Sequence, residues 1–135
     1  MFFKKDSDKN KALIKIGALL VHAAKIDQNY SGQEKEIIKT TLLKIGNGEE
    51  NVDNLIKKAE EIENNSNQIL EFTKEVKNMS HENKIEIIET LWKIIYSNKE
   101  ADIYETSLMR RLGGLLYIDS STMGDIKEKI KKEYS

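Results

Sequence analysis

The sequence predicts an all-α fold, a compact bundle of about seven helices. Three observations carry this prediction. The chain of 135 residues contains no proline, and proline interrupts helix interiors. Apolar residues recur at helical spacing along most of the chain, and no segment shows the strict polar–apolar alternation of a half-buried strand. A chain of this length is expected to form one domain, residues 1–135, around a single core.

The first helix is expected to begin near Ser7 or Asp8 and to end at about Ile26. Leu13, Ile16, Leu20 and Ala23 recur every three or four positions and predict one buried face. Additional apolar side chains widen this face until little polar surface remains, which is typical of a helix in the middle of a bundle.

A polar segment at residues 27–31, the first hinge, separates this helix from the second one. Its last residue, Ser31, is of a type that commonly caps a helix N-terminus. The second helix is expected to end within residues 46–48, because the two glycines there permit the left-handed conformation of a C-terminal cap.

Three further helices follow, and two of them have recognisable start signals. The third helix is expected at about residues 52–63, and a shorter fourth helix follows a turn in which Ser66 is the expected cap. Ser80 is expected to cap the fifth helix, at about residues 81–96.

A second polar segment, residues 97–102, is the second hinge and precedes a sixth helix at 103–116. This helix contains Gly113 and Gly114, each of which costs about 1 kcal/mol relative to alanine in a helix interior. We therefore expect close helix packing at these glycines or an early helix end. A seventh helix is expected to end at about Glu133. Its candidate N-caps are Ser120, Ser121 and Thr122.

The two hinges resemble each other at a constant offset of 105 − 34 = 71 residues. Each ends in a capping-type residue with a glutamate three positions later, Ser31 with Glu34 and Asp102 with Glu105. Apolar positions of the flanking helices also align at this offset. We therefore predict an internal duplication of a helix–acidic loop–helix unit. The predicted repeat halves are approximately residues 8–48 and 80–118.

The hinges carry the residue types that suit a specific ligand, because Ca²⁺ and Mg²⁺ prefer oxygen atoms from carboxylates, amides and carbonyls. Asp27, Asn29 and Ser31 alternate as at the opening of an EF-hand loop, but Ile38 stands where that loop has its closing acid. Glu34 would have to close the site from the first turn of the second helix. The candidate ligands of a divalent cation are Asp27, Asn29, Ser31, Glu34, Glu100, Asp102 and Glu105.

A second interpretation of the hinges requires no ligand. In a capping box, Ser-x-x-Glu, the serine oxygen accepts from the amide three positions later while the glutamate accepts from the serine amide. Ser31 and Glu34 have this spacing, and Asp102 and Glu105 form a looser version. A third interpretation is a carboxylate patch that contacts a protein partner. The residues alone leave the three interpretations open.

Composition limits the classes of function. The absence of cysteine excludes disulfides and thiolate metal sites. The formal net charge of −1 and the presence of only two arginines, Arg110 and Arg111, argue against nucleic-acid binding. His22 and His81 belong to no zinc-binding pattern, and His22 is expected at the edge of the core. Because no nucleophile–base set or phosphate-binding glycine loop is recognisable, we expect no enzymatic activity.

The sequence also argues against a membrane-spanning protein. The longest nearly apolar run, residues 16–24, is far shorter than the roughly 20 residues that a spanning helix requires. Lys4 and Lys5 place charges where a signal peptide needs its apolar stretch. We therefore expect a cytoplasmic protein without a transmembrane segment. Peripheral membrane association and the oligomeric state are left open.

Two segments of the chain resemble the TerB-like family. The family's first signature is an apolar helix followed by Ala-x-x-Asp-Gly-x-[Tyr/Phe/Leu]-[Ser/Asp]-x-x-Glu, and the segment from Leu19 to Glu34 is similar to it. The second motif is often Leu-Trp-x-x-Ala-x-Ala-Asp-Gly-x-Leu-Asp-x-Tyr-Glu, to which the segment from Leu91 to Glu105 is similar. The similarity covers approximately residues 10–130.

The resemblance implies an all-α fold with internal pseudo-symmetry, as in tellurite-resistance TerB proteins and the N-terminal domain of the DjlA co-chaperone. It also implies an acidic surface, divalent-metal binding, and stress-linked or membrane-linked complexes. This chain departs from the family pattern at Gln28, which replaces a glycine, and at Asn98 and Lys99, which replace the second Asp-Gly. These departures weaken the second hinge as a cation site more than the first.

Together these observations predict a non-enzymatic TerB-like domain in a stress-response context that binds a divalent cation, Ca²⁺ or Mg²⁺, through an acidic inter-helix loop. The alternative is a co-chaperone-type module that binds an unidentified protein partner and whose acidic hinges are only helix caps.

Overall fold

The protein is described by a computed structural model that covers residues 2–26, 30–46, 51–66, 70–97 and 103–134. These residues form helices and connecting turns, with no strand among them. The helices are α1 (Phe2–Lys25), α2 (Gly32–Ile45), α3 (Val52–Asn64), α4 (Leu70–Lys77), α5 (His81–Tyr96), α6 (Ile103–Leu115) and α7 (Ser120–Glu133). The predicted all-α bundle of about seven helices is confirmed.

The central position of α1 follows from its nearly continuous apolar surface. It packs against α2, α3, α4 and α5, and Ile16, Leu19 and Leu20 are completely buried. Buried residues of all seven helices belong to one core cluster. The prediction of a helix in the middle of the bundle is therefore confirmed. None of the described helices is long and apolar enough to cross a membrane.

Several helix ends agree with the local signals in the sequence. α5 begins after Ser80, whose Oγ accepts a hydrogen bond from the Asn83 amide at 3.2 Å. Of the two alternatives expected at the glycine pair in α6, close helix packing is observed. A Cβ on Gly113 would lie 3.2 Å from the Cγ of Met123 in α7, so these helices are in close contact. α6 ends at Leu115, one residue before the predicted end, and Tyr117 follows with a positive φ of 58°.

Two predicted helix starts are wrong. α1 begins at Phe2 rather than near Ser7 or Asp8. A capping-type residue favours a helix start by only about 1 kcal/mol, and no glycine or proline interrupts the chain before it, so the helix continues through both residues. α7 is capped by Asp119, whose Oδ1 accepts from the Thr122 amide at 2.7 Å. The N-cap of α7 is therefore one residue before Ser120, the first of the three expected caps.

The bounds of the helices around the hinges repeat at the predicted offset. α1 and α5 end 96 − 25 = 71 residues apart, and α2 and α6 begin 103 − 32 = 71 residues apart. The packing of the two units differs. In the first unit α1 packs on α2, whereas in the second unit α6 packs against α4 and α7. The internal duplication therefore stays a prediction.

Candidate functional site

The structure describes three of the seven predicted cation ligands. Ser31 and Glu34 lie at the start of α2, and Glu105 lies in the first turn of α6. The other four predicted ligands lie outside the described residues, and they are Asp27, Asn29, Glu100 and Asp102.

Ser31 and Glu34 form a complete capping box at the N-terminus of α2. The Glu34 amide donates to Ser31 Oγ at 3.4 Å. In return, Glu34 Oε1 accepts from the Ser31 amide at 2.6 Å and from the Ser31 hydroxyl at 2.9 Å. The capping interpretation of this pair is therefore confirmed. It explains why the loop enters α2 at Ser31 without requiring a ligand.

Glu34 is more deeply buried than an exposed helix cap needs to be, with only 1% of its surface accessible. Its second oxygen, Oε2, lies 3.3 Å from Oγ of Ser97, whose hydroxyl donates at 2.6 Å to the carbonyl oxygen of Ile94. Ser97 directly follows α5 and is the first residue of the second hinge. The beginning of the second hinge therefore lies beside the first turn of α2, directly after the first hinge.

Glu105 occupies the equivalent position in α6 and is also buried, with 3% of its surface accessible. Buried carboxylates are costly unless hydrogen bonds compensate for the lost hydration. The two glutamates are 71 positions apart, and each lies in the first turn of the helix that follows a hinge. Their burial is a feature common to both hinges that the residue types alone did not predict.

A buried carboxylate of α3 lies beside the end of α1. Glu63 is 8% exposed, and its Oε1 accepts from the Lys25 ammonium at 2.7 Å. Its Oε2 lies 3.2 Å from Nδ1 of His22, which is partly buried, as expected for a histidine at the edge of the core. These contacts fasten the last turn of α1, directly before the first hinge, to α3.

A second contact with α3 holds the end of that hinge and the first turn of α2. The Tyr30 hydroxyl donates to Glu60 Oε2 at 2.6 Å, and the Lys35 ammonium lies 3.3 Å from the same oxygen. Burial of the ring, together with the hydrogen bond to Glu60, raises the pKa of Tyr30 well above its ordinary value. The first hinge is thus flanked on both sides by side chains that are bound to one helix.

Sequence reasoning missed Glu60 and Glu63. A signal existed for Glu63, which is four positions after Ala59 and seven after Ile56 and so shares the apolar face of α3. An acidic residue on such a face requires a partner. The partners themselves are 38 and 41 residues away in the chain, and local periodicity does not identify contacts over that distance.

Within the described part of the chain, no three His, Cys, Asp or Glu side chains form a group that could hold a metal ion. The described carboxylates at the hinges act as helix caps and as partners of serine, tyrosine, histidine and lysine. A cation site at the first hinge would therefore depend on Asp27 and Asn29.

A family model described as tellurite resistance protein TerB matches residues 13–128. This chain belongs to the TerB family. The matched segment contains both hinges and the whole of α2 to α6, so the resemblance of the two motifs to TerB-like proteins is confirmed. Searches of curated proteins and of solved structures gave no significant match.

Proposed function

We propose that this TerB-family chain is a non-catalytic binding domain that holds Ca²⁺ or Mg²⁺ beside the first hinge. The supporting observation is the short distance of 3.3 Å between Ser97 Oγ and Glu34 Oε2, which places the beginning of the second hinge beside the end of the first. Both hinges carry oxygen side chains of the kind that these cations prefer. One cation could therefore draw ligands from both loops.

The candidate ligands have unequal roles in this proposal. Ser31 and Glu34 fix the start of α2 by capping, and Ser97 fixes the neighbouring hinge against them. No helix cap requires Asp27 or Asn29, so we assign direct coordination to these two residues. Glu100, Asp102 and Glu105 of the second hinge are secondary candidates, because Lys99 adds a positive charge there.

The test is thermal and urea unfolding of the wild type with added Ca²⁺, Mg²⁺ or Mn²⁺, and of Asp27→Asn under the same conditions. Cation at about 100 times its dissociation constant should stabilise the wild type by roughly 2.7 kcal/mol. Asp27→Asn should abolish this gain. Glu36→Gln is the matched control, because it removes one exposed α2 carboxylate, which pairs with Lys39 on the surface.

Two results would defeat the proposal. One is a wild type whose stability does not respond to 10 mM of any of these cations, a concentration of about 100 times a dissociation constant of 0.1 mM. The other is an equal gain in Asp27→Asn and the wild type, which would place the cation elsewhere. Glu34→Gln then separates ligand from cap, since glutamine can still serve a capping box. Retained cation binding in this variant assigns Glu34 to capping alone.

The complete capping box supports a second candidate function, in which the domain is a protein-interaction module of the co-chaperone type. In that case the acidic hinges are structural, and Asp27→Asn changes neither cation response nor partner binding. The family is described as tellurite resistance protein TerB, and this description supports a role in a stress response. We propose that the protein has this role in the cytoplasm. Growth of a deletion strain with and without tellurite, and with the gene restored, would test it.

A further inference from the structure

We propose that the groove between α6 and α7 binds an acidic segment of a partner protein, through one apolar side chain and one carboxylate of that segment. The groove is formed by other residues than the hinge site, so this proposal is independent of cation binding. It rests on the shape of the groove, on a glycine that packing within the chain does not explain, and on an uncommitted arginine at its edge.

The groove is an open cavity of about 400 Å³ with a mostly apolar surface. This volume lies within the range of about 300–1,000 Å³ in which proteins bind small groups. Met123 contributes a flexible thioether, which adapts to partner side chains of different shape. The residues that define the groove are Thr106, Arg110, Gly113, Gly114, Ile118 and Met123.

The two glycines of α6 differ in their surroundings. Gly113 is buried, and a Cβ there would lie 3.2 Å from Met123 Cγ, so helix packing explains this glycine. Gly114 is exposed, and no atom lies within 4 Å of the position of its Cβ. Gly114 lies in the last turn of α6, and the missing side chain there allows no closer packing within the chain, but it keeps the wall of the groove open.

Charge complementarity selects an acidic occupant. Arg110 and Arg111 are the only arginines of the chain, and both are exposed. Neither makes an ion pair or a hydrogen bond in the part of the chain that the structure describes. Arg110 borders the groove, whereas Arg111 does not. A guanidinium group binds a carboxylate through two parallel hydrogen bonds.

The test is a titration of the ¹⁵N-labelled full chain with two synthetic peptides, followed by amide chemical shifts. One peptide is acetylated, amidated and composed of leucine and glutamate. The other is identical except that lysine replaces every glutamate. The leucine–glutamate peptide should shift the amides of Gly113, Gly114 and Met123 in a saturable manner. The leucine–lysine peptide should leave these amides unchanged.

Three variants make the test specific. Arg110→Ala should weaken binding of the leucine–glutamate peptide about tenfold, which corresponds to about 1.4 kcal/mol. Arg111→Ala removes the neighbouring charge outside the groove and should bind as the wild type does. Gly114→Leu fills the open wall and should abolish binding. This variant is expected to fold, because nothing within 4 Å opposes a side chain there.

Several outcomes would overturn the proposal. One is the absence of saturable shifts with millimolar leucine–glutamate peptide, and another is equal weakening by Arg110→Ala and Arg111→Ala. A larger response of the same amides to decanoate than to the peptide would identify a lipid chain as the occupant. Shifts of these amides that depend on protein concentration without peptide would identify a second copy of the chain.

Discussion

The contact between α1 and α3 gives the most direct test of the core. A Cβ added to Gly17 would lie 2.9 Å from the Cβ of Ala59 and 3.4 Å from Cδ1 of Leu42. Carbon atoms ordinarily approach to about 3.5–4.0 Å, so the two methyl groups would have to separate by about 0.6–1.1 Å. The Ala59 methyl group has no rotamer that avoids the contact, and α3 itself must move. Gly17→Ala should therefore disturb the packing of α3 on the central helix.

The size of the effect follows from two opposing contributions. Overpacking a close-packed core costs about 1–3 kcal/mol. Replacing glycine by alanine in a helix interior stabilises by about 1 kcal/mol. Gly124→Ala in α7 isolates the second contribution, because that glycine is exposed and no atom lies within 4 Å of its Cβ position. The difference in unfolding free energy between the two variants should therefore equal the overpacking cost, about 1–3 kcal/mol.

The assay is urea unfolding of the wild type and both variants at one pH, with comparison of midpoints and slopes. Adding Ala59→Gly to Gly17→Ala moves the methyl group from α3 to α1, so the double variant should be more stable than the two single changes predict, by about 0.5–3 kcal/mol. Equal stabilisation by Gly17→Ala and Gly124→Ala would refute the close approach of α1 and α3. So would strict additivity in the double variant.

Three further predictions concern single side chains. Tyr30→Phe loses the hydrogen bond to Glu60 and should cost about 1 kcal/mol at neutral pH. The pKa of Tyr30 is raised in the folded protein, so its contribution to stability is present below pH 10 and is lost as the pH rises further. The urea midpoints of the wild type and of Tyr30→Phe should therefore converge in alkali. Hydrogen bonds from Thr122 lower the pKa of Asp119 below its ordinary value of 3.8. The contribution of Asp119 to stability is therefore present above about pH 4 and is lost in stronger acid. Asp119→Asn should keep the cap and show a weaker fall of the midpoint in acid. Trp92 Nε1 is buried without a hydrogen-bond partner among the described residues, so Trp92→Phe loses no hydrogen bond there and should destabilise less than Trp92→Ala, for which about 3–5 kcal/mol is expected.

The fold was predictable where its causes are local in the chain. Apolar periodicity identified the buried face of α1, and the Ser80 cap marked a helix start that the structure reproduces. The start of α1 was not predictable from Ser7 and Asp8, because a capping preference of about 1 kcal/mol does not set a helix start where no glycine or proline interrupts the preceding residues.

The surroundings of the first hinge were not predictable in the same way. Glu63 contacts the end of α1, and Glu60 contacts Tyr30 and the first turn of α2, because α3 packs against both α1 and α2. A sequence indicates that a charged residue on an apolar face needs a partner. It does not indicate which of several lysines or tyrosines the tertiary packing will supply.

The capping box by itself does not account for the burial of Glu34. Capping uses Oε1, which accepts both hydrogen bonds from Ser31. The second oxygen lies 3.3 Å from Ser97 Oγ, so the beginning of the second hinge lies against this carboxylate. The capping interpretation and the proposed cation site are therefore compatible, because they give direct roles to different residues. Glu34 caps α2 beside the second hinge, whereas the proposed cation site depends first on Asp27 and Asn29, which no cap requires.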